Sequence, residues 1–324
     1  MFVKIWGGRG SLPSPLTPEA VQIRIQNIVE GFLNSGHKDK AEVQAYLNTL
    51  PFWKWAGFGG NTSCIEVKTP EQQIIVDAGS GIRLLGYELL KGPCGHGKGE
   101  VHILFTHFHW DHVLGLPFFV PIFIPGNKIH VYAVQQDLKA MFQTVFQKPF
   151  FPVALQNIGA QIIYHQLEPR KTVEFSNIHV TPYQLDHPDP CWGYKFEHVG
   201  KIFSYCVDTE CTRMSREKLG VDLPLYQGVD LMLFDAQYTL LETIDKINWG
   251  HAAASIGLDL AMREGIKRVR FIHHDPASSD EKIATAEAET RRYYENQLKT
   301  SRQRGIKVYE VDWSFAYEGM CLEV

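Results

Sequence analysis

The chain has 324 residues, 44% of them hydrophobic, which is enough for a substantial core and too much for a disordered polypeptide. Lys and Arg number 32 against 36 Asp and Glu, a net charge of −4, so the chain carries no electrostatic footprint of a general nucleic-acid binder. Six scattered cysteines with no Cys-x-x-Cys pair, and no run of about 18 apolar residues, argue against a disulfide framework, a zinc ribbon and a membrane span.

Phe2 to Trp6 reads as a first strand. It runs at once into Gly7-Gly8-Arg9-Gly10-Ser11, too soon and too glycine-rich for a signal peptide, and a cytoplasmic protein with reduced thiols is expected. The glycines of this tight loop let the backbone approach another group closely. Thr17-Pro18-Glu19 is a helix start with a hydroxyl cap and Pro at the first helical position. Val21, Ile25, Ile28, Val29, Phe32 and Leu33 then recur at helical spacing as far as Gly36. A second short helix follows on Val43, Tyr46, Leu47 and Leu50, so residues 14–50 read as a helical hairpin inserted between the first two strands. The rings of Phe52, Trp53 and Trp55 are expected to anchor it to the core, ahead of serving as a stacking platform. Strands over Ile65–Lys68 and Gln73–Val76 meet at Thr69-Pro70 and end in the turn Asp77-Ala78-Gly79.

Val101 to Phe105 is apolar, β-prone and free of Gly and Pro, the pattern of a buried strand. It delivers Thr106-His107-Phe108-His109-Trp110-Asp111-His112 to the carboxyl end of a strand, where ligands usually bind in α/β sheets. Three imidazoles and a carboxylate within six residues are good ligands for a borderline metal such as zinc. His107 and His109 can point the same way on an extended segment while Asp111 and His112 face a second position; the spacing leaves one metal or two open. Further strands are expected over Ile129–Val134, Ala160–Gln166, Ile178–Tyr183, Cys191–Phe196, Ile202–Val207, Leu231–Phe234 and Val269–Ile272, with a helix over Asp137–Phe146. Leu138, Met141, Phe142 and Val145 should face inward there, and the corner Pro149-Phe150-Phe151-Pro152 should pack into the core. Gly92–Gly99 reads as a surface loop. A helix from His251 to Gly265 would place His251 at a positive dipole end. A long helix capped by Asp280 and running to about Leu298, then strands at Ile306–Tyr309 and Trp313–Tyr317, close the chain.

The His-x-His-x-Asp-His run after a strand, His187 ahead of a strand containing Gly193-Tyr194, Asp208 at a strand end and His273 before a proline together resemble the metallo-β-lactamase fold. The likeness is to its dinuclear metallohydrolase branch of phosphodiesterases and tRNase Z-like enzymes, and it covers most of the chain. It implies an α/β protein, a four-layer αββα sandwich, with one domain over 1–324 and 14–50 as the insertion. It implies two divalent ions, zinc foremost and manganese or iron as alternatives, with His107, His109 and His187 on one and Asp111, His112 and His273 on the other. Asp208 would bridge them, as a carboxylate with two free oxygens can. Alignment through Pro276 favours His273 over His274, and Asp77 would support the metal loop from behind. In tRNase Z-like relatives an acidic residue at the place of Asp235 orients a catalytic histidine, here His251; Asp111 is counted with these two as catalytic as well as with the ligands. Ala252 and Ala253 stand where those relatives usually carry Ser and Thr, a departure from the tRNA-processing branch.

The loop from Gly7 to Pro13, the run Gly59-Gly60-Asn61-Thr62-Ser63 and the Phe150-Phe151-Pro152 corner look closest to small-molecule phosphodiesterases. The implied reaction is hydrolysis of a small phosphodiester of cyclic-nucleotide or cyclic-phosphate type by water activated between the two ions. The alternatives are a tRNase Z-like endoribonuclease, for which no basic Gly/Lys/Arg-rich arm is found, a thioesterase-type hydrolase, or a metal-dependent ligand sensor without turnover. The expected partners are a small phosphodiester and a second copy docking through the hairpin, with no membrane and no extended nucleic acid.

Overall fold

In the computed structural model, which describes all of residues 1–324, the chain builds two seven-stranded sheets. β1 (Phe2–Gly7) buries Val3 and Ile5 on one face and leaves Phe2 and Lys4 less covered, the period-two pattern of a strand lying on a core. α1 (Pro18–Asn34) starts where the Thr17 hydroxyl accepts the Ala20 N–H, with Pro18 at its first position. α2 (Val43–Thr49) and the single turn α3 (Phe52–Trp55) follow. β2 (Cys64–Lys68) and β3 (Gln73–Val76) form an antiparallel hairpin, and β3 then pairs in parallel with β4 (Glu100–Leu104) after α4 (Ile82–Leu89). The short α5 (Trp110–Val113) leads towards β5 (Lys128–Ala133), and α6 (Leu138–Val145) crosses to β6 (Gln161–Gln166), both strands parallel to β4. α6 buries Leu138, Met141, Phe142 and Val145, each contributing roughly 1.5–3 kcal/mol.

The second sheet follows the same plan. β7 (Val173–Phe175), β8 (Ile178–Gln184), β9 (Trp192–His198) and β10 (Lys201–Cys206) form an antiparallel meander. After α7 (Arg216–Leu219), β11 (Leu231–Asp235) continues in parallel, followed by α8 (Leu240–Asp245) and α9 (Ala254–Glu264). β12 (Arg268–Ile272), α10 (Asp280–Gln303) and β13 (Asp312–Phe315) extend the parallel part, and β14 (Cys321–Glu323) returns to pair with β1. Val67, Val76 and Leu104 of the first sheet meet Val180, Phe196, Phe203 and Leu233 of the second in one apolar cluster. A second cluster joins Ile103 and Val131 to Leu85 and Phe142, and a third joins Phe234 and Phe271 to Leu258 and Ile283. The result is the expected αββα sandwich.

Several expectations are corrected. α9 begins at Ala254, not at His251, because residues before it stay extended and Ala253 bridges to Tyr238. α10 is capped by the Ser279 hydroxyl and runs on to Gln303; the Asp280 carboxylate is taken instead by Arg24, Arg9 and the Phe58 N–H. Ile306–Tyr309 is no strand, since Ile306 N–H bonds to Ser301 O and Tyr309 N–H to Met262 O at the ends of the two helices. The apolar stripe of α1 faces outward, with Val21 40% and Leu33 61% exposed, and no residue of that helix is buried. What ties α1 down is the Arg24–Asp280 ion pair, whereas Phe52 stacks on Tyr317 at 3.9 Å as an anchoring ring should. At the apolar corner Phe151 packs on Phe146 but Phe150 is 69% exposed. α4, α8, β7 and β14 had no clear sequence signal; the strands have only three residues each, too few for a period to emerge.

Candidate metal centre

β4 ends at Leu104 and the chain then folds over its own carboxyl end. Thr106 donates from its N–H (2.9 Å) and hydroxyl (3.0 Å) to Asp77, and Ala78 N–H reaches His112 O (2.7 Å), so the loop is clamped to the turn after β3. This brings His107, His109 and His187 together as one group whose ligand atoms lie within 4.8 Å of one another, and Asp111, His112, Asp208 and His273 as a second. Asp208, Asp235, His251 and His273 form a third, overlapping the second. All the sequence-predicted residues therefore lie in one place. His274 does not join them: its Nε2 donates to Ala316 O (2.8 Å) and its ring stacks on Phe315.

Each ring is held through one nitrogen, which turns the other inward. His112 Nδ1 donates to Asp77 Oδ2 (2.8 Å), His187 Nδ1 to Gly250 O (3.0 Å) and His109 Nε2 to Asp189 Oδ2 (2.8 Å). His273 Nδ1 stands 3.2 Å from Ser63 Oγ and His107 Nδ1 3.1 Å from Thr106 Oγ1. Such outer partners fix the tautomer and raise the basicity of the free nitrogen. The inward atoms His107 Nε2, His112 Nε2, His273 Nε2 and Asp208 Oδ2 are buried and have no hydrogen-bond partner. His112 Nε2 and Asp208 Oδ2 lie 2.6 Å apart, both turned towards the same point. This donor set fits divalent cations.

The electrostatics agree. Burial works against charge on Asp208, yet His112 and His273 hold its carboxyl well below the usual range. Burial likewise opposes charge on His273, but Asp208, Asp235 and Asp111 push it up to about 9. His112 is raised too, against burial, by Asp208, Asp111 and Asp77, while burial and the neighbouring His112 keep His107 well below its ordinary value. The carboxylates thus draw positive charge onto two rings, the charge that cations would bring.

Asp235 sits behind this group. Its Oδ2 accepts from His251 Nδ1 (2.9 Å) and Asp208 N–H (3.2 Å), and its Oδ1 accepts the N–H groups of Gln237 and Ala252, both at 3.1 Å. His251 is oriented by this carboxylate rather than by a helix terminus. Its ring stacks on His273 with centroids 4.9 Å apart. Ser11, Asp77, Asp208 and His273 all have positive φ, between 58° and 68°, a conformation costing about 1–2 kcal/mol each for such residues. Four such residues meet around this one cluster, out of nine in the chain, so backbone here is held against local preference. Gly10 is required by close approach, since a Cβ there would lie 2.5 Å from His273 Cδ2.

The mouth is a cavity of about 350 Å³ lined by Ser11, Phe108, His109, Trp110, Asp111, Asp208 and His251. Asp189, Ser63, Ser11 and Gln237 lie at or behind it and were not foreseen. Asp189, two residues after His187, offered a weak signal, and Ser11 and Ser63 fall in the two glycine-rich runs noted in the sequence though neither was named as a site residue; a buried glutamine offered none.

A sequence model of the beta-lactamase superfamily domain matches residues 72–274, the span from β3 to His274. The chain belongs to this superfamily. Among curated relatives of this superfamily member, a ribonuclease Z of Pyrococcus abyssi is 24% identical over 152 residues, 45% of either chain. The match thus spans about half the length of that relative. A ribonuclease Z of Exiguobacterium sibiricum is 22% identical over 290 residues, 75% of this chain and 92% of the relative. The metallo-β-lactamase-fold protein YhfI of Bacillus subtilis superposes with a TM-score of 0.62 at 13% identity, covering 100% of this chain and 98% of the other. The fold of this member is accordingly the metallo-β-lactamase fold.

Proposed function

We propose that the protein is a dinuclear metal-dependent phosphodiesterase acting on a small phosphodiester of cyclic-nucleotide or cyclic-phosphate type. The observation that carries this is the ring of inward-facing ligand atoms, four of them buried and unpartnered, directly beside the His251–Asp235 pair. His107, His109 and His187 would hold one ion, Asp111, His112 and His273 the other, with Asp208 shared between them. Zinc is the expected metal, with manganese or iron as alternatives. Bound there, two divalent ions supply Lewis acidity towards phosphate oxygens and lower the pKa of water.

The chain's own residues do the rest. His251 presents Nε2 to the mouth and gives its proton to the leaving oxygen as the oxygen of water bonds to phosphorus and one P–O bond breaks, the proton lost by water making good the one given up; a cyclic diester opens to a phosphomonoester with a free hydroxyl, and an acyclic one gives an alcohol and a phosphomonoester. Asp235 accepts from Nδ1 and keeps the ring in place. Asp111 sits in the mouth as a ligand next to the reacting phosphate. Trp110, 59% exposed at the rim, limits water beside the substrate and offers a face for a flat leaving group. The whole chain would act as a single domain.

A small substrate is favoured because no Lys or Arg lines the mouth and the net charge is −4. The second reading is an endoribonuclease, favoured by the name its curated relatives carry. Salt separates the two: RNA cleavage should weaken steeply between about 50 and 200 mM salt, whereas turnover of a small diester should barely change. The outward stripe of α1 supports the homodimer as partner. No helix is long and apolar enough to cross a membrane.

The test is hydrolysis of bis-p-nitrophenyl phosphate by metal-stripped protein reloaded with zinc, manganese or iron, with metal counted per chain. Turnover at about two ions per chain supports the proposal and leads to cyclic nucleotides as substrates. Two bound ions with no hydrolysis of any phosphodiester would overturn it, in favour of a thioesterase or a ligand sensor.

A further inference from the structure

We infer that Ser11 is a substrate-contacting residue whose hydroxyl donates a hydrogen bond to a non-bridging oxygen of the phosphodiester, with Gln237 as the positioning residue that holds it; the inference rests on the phosphodiesterase reading. Ser11 lines the mouth together with Asp111, Asp208 and His251. Its N–H donates to Asp111 Oδ2 at 2.8 Å, so the loop before α1 is fastened to one of the ligand groups. The loop cannot back away, because Gly10 lies against the His273 ring and its N–H bonds to His274 O at 2.9 Å.

At φ 58° Ser11 occupies a conformation that glycine adopts without strain. Glycine already stands at positions 7, 8 and 10 of the same loop, yet the left-handed position carries a side chain. That side chain is fixed: its Oγ accepts from Gln237 Nε2 at 3.1 Å. A serine hydroxyl that has accepted still has its own proton to give. Gln237 is buried, and its backbone N–H bonds to Asp235 Oδ1, so the residue that carries the amide is tied to the carboxylate that orients His251, while Nε2 also reaches Tyr238 Oη at 3.3 Å. Its Oε1 has no partner, which leaves Nε2 as the working end of the amide. The seven residues of the mouth include no Lys or Arg, and with His251 assigned to the leaving oxygen, Ser11 is the one hydroxyl there placed to meet a non-bridging phosphate oxygen.

The experiment uses the metal-loaded protein with bis-p-nitrophenyl phosphate for kinetics and inorganic phosphate for calorimetry. Ser11→Ala should raise KM roughly 10- to 100-fold with kcat within a few-fold, and weaken phosphate by a similar factor, the worth of one hydrogen bond to a charged acceptor. Ser11→Gly should weaken both probes equally while raising Tm by about 1–3 °C as the strain is relieved. Gln237→Leu should shift KM in the same direction, and the Ser11→Ala/Gln237→Leu double variant should be no worse than Ser11→Ala alone. Wild-type KM and phosphate affinity in both serine variants would overturn the role of Ser11, and additive effects in the double variant would overturn that of Gln237. If the wild type binds phosphate but hydrolyses no diester, the phosphodiesterase reading fails while the phosphate titration of Ser11→Ala still decides this one. A wild type that binds neither probe overturns both.

Discussion

The two sheets share a plan, antiparallel strands leading into parallel ones with crossover helices outside, but they supply the centre in different ways. The first sheet releases His107, His109, Asp111 and His112 from the end of one strand, β4, and a single carboxylate behind them, Asp77, steadies the loop. The second sheet spreads its groups over four connections: His187 between β8 and β9, Asp208 after β10, Asp235 at the end of β11 with His251 beyond it, and His273 after β12. In the first half local chain geometry does the placing. In the second, the register of four strands does it, and strained backbone at Asp208 and His273 completes the aim.

The comparison breaks most visibly at Asp208, where the halves meet. Its carboxylate lies 2.6 Å from His112 Nε2 and 2.8 Å from His273 Nε2, one ring from each half. Asp208→Ala should lower bound metal from about two ions per chain to one or none, and turnover by about 10³-fold or more. Metal analysis of the dialysed variant decides it, and two retained ions would refute the bridging role. His251→Ala comes next: it should keep the metal and lose about 10²–10⁴-fold in kcat, as removal of a general acid does. Unchanged kcat at full metal loading would remove His251 from the mechanism. A smaller effect sharpens the contrast between the partners behind the rings. Asp77→Asn, in a fully buried position under His112, should weaken metal affinity about 10- to 100-fold in a chelator titration. Asp189→Asn, exposed at the rim, should cost less than about tenfold because solvent can replace it. Equal losses would show that burial of the outer carboxylate does not matter.

The same contrast explains what the sequence could tell. The ligands of the first half were legible from residue order alone, since three histidines and an aspartate in six positions after a strand have few other uses. Those of the second half are single residues at strand ends, and only the family likeness gathered them; nothing in the local sequence says that Asp208 and Asp235 end on adjacent strands. The strands themselves were readable because buried runs such as Leu231–Phe234 carry their own signal. Helix starts were less so. Asp280 looked like a cap until Arg24 and Arg9 claimed its carboxylate, and the periodicity of α1 showed a helix without showing what its apolar stripe faces, because periodicity reports amphipathicity and not what lies opposite.

The smallest expected effect lies at the other end of β4. His102, inside that strand, stacks on His130 of β5 (4.9 Å between centroids), and His130 stacks on His165 of β6 (5.2 Å). His130 Nδ1 and His165 Nε2 are 2.9 Å apart, and Glu100 Oε1 is the one carboxylate oxygen near the stack, 2.9 Å from His130 Nε2. At the centre, carboxylates raise His112 and His273 against burial; here burial and then the neighbouring His130 lower His102 from 6.5 to about 4, and the same two causes lower His165. A histidine whose folded value lies below its unfolded one costs nothing at neutral pH. Below about 6.5 the unfolded chain takes a proton that the folded one refuses, so stability should fall until about pH 4 and then level off. Tm measured across this range on metal-stripped protein should therefore decline less steeply in His102→Phe than in the wild type, by a few degrees at the acid end. Parallel curves for the two proteins would mean that the stack opens to water at no cost, and that the two ends of β4 differ in composition but not in how tightly they hold their histidines.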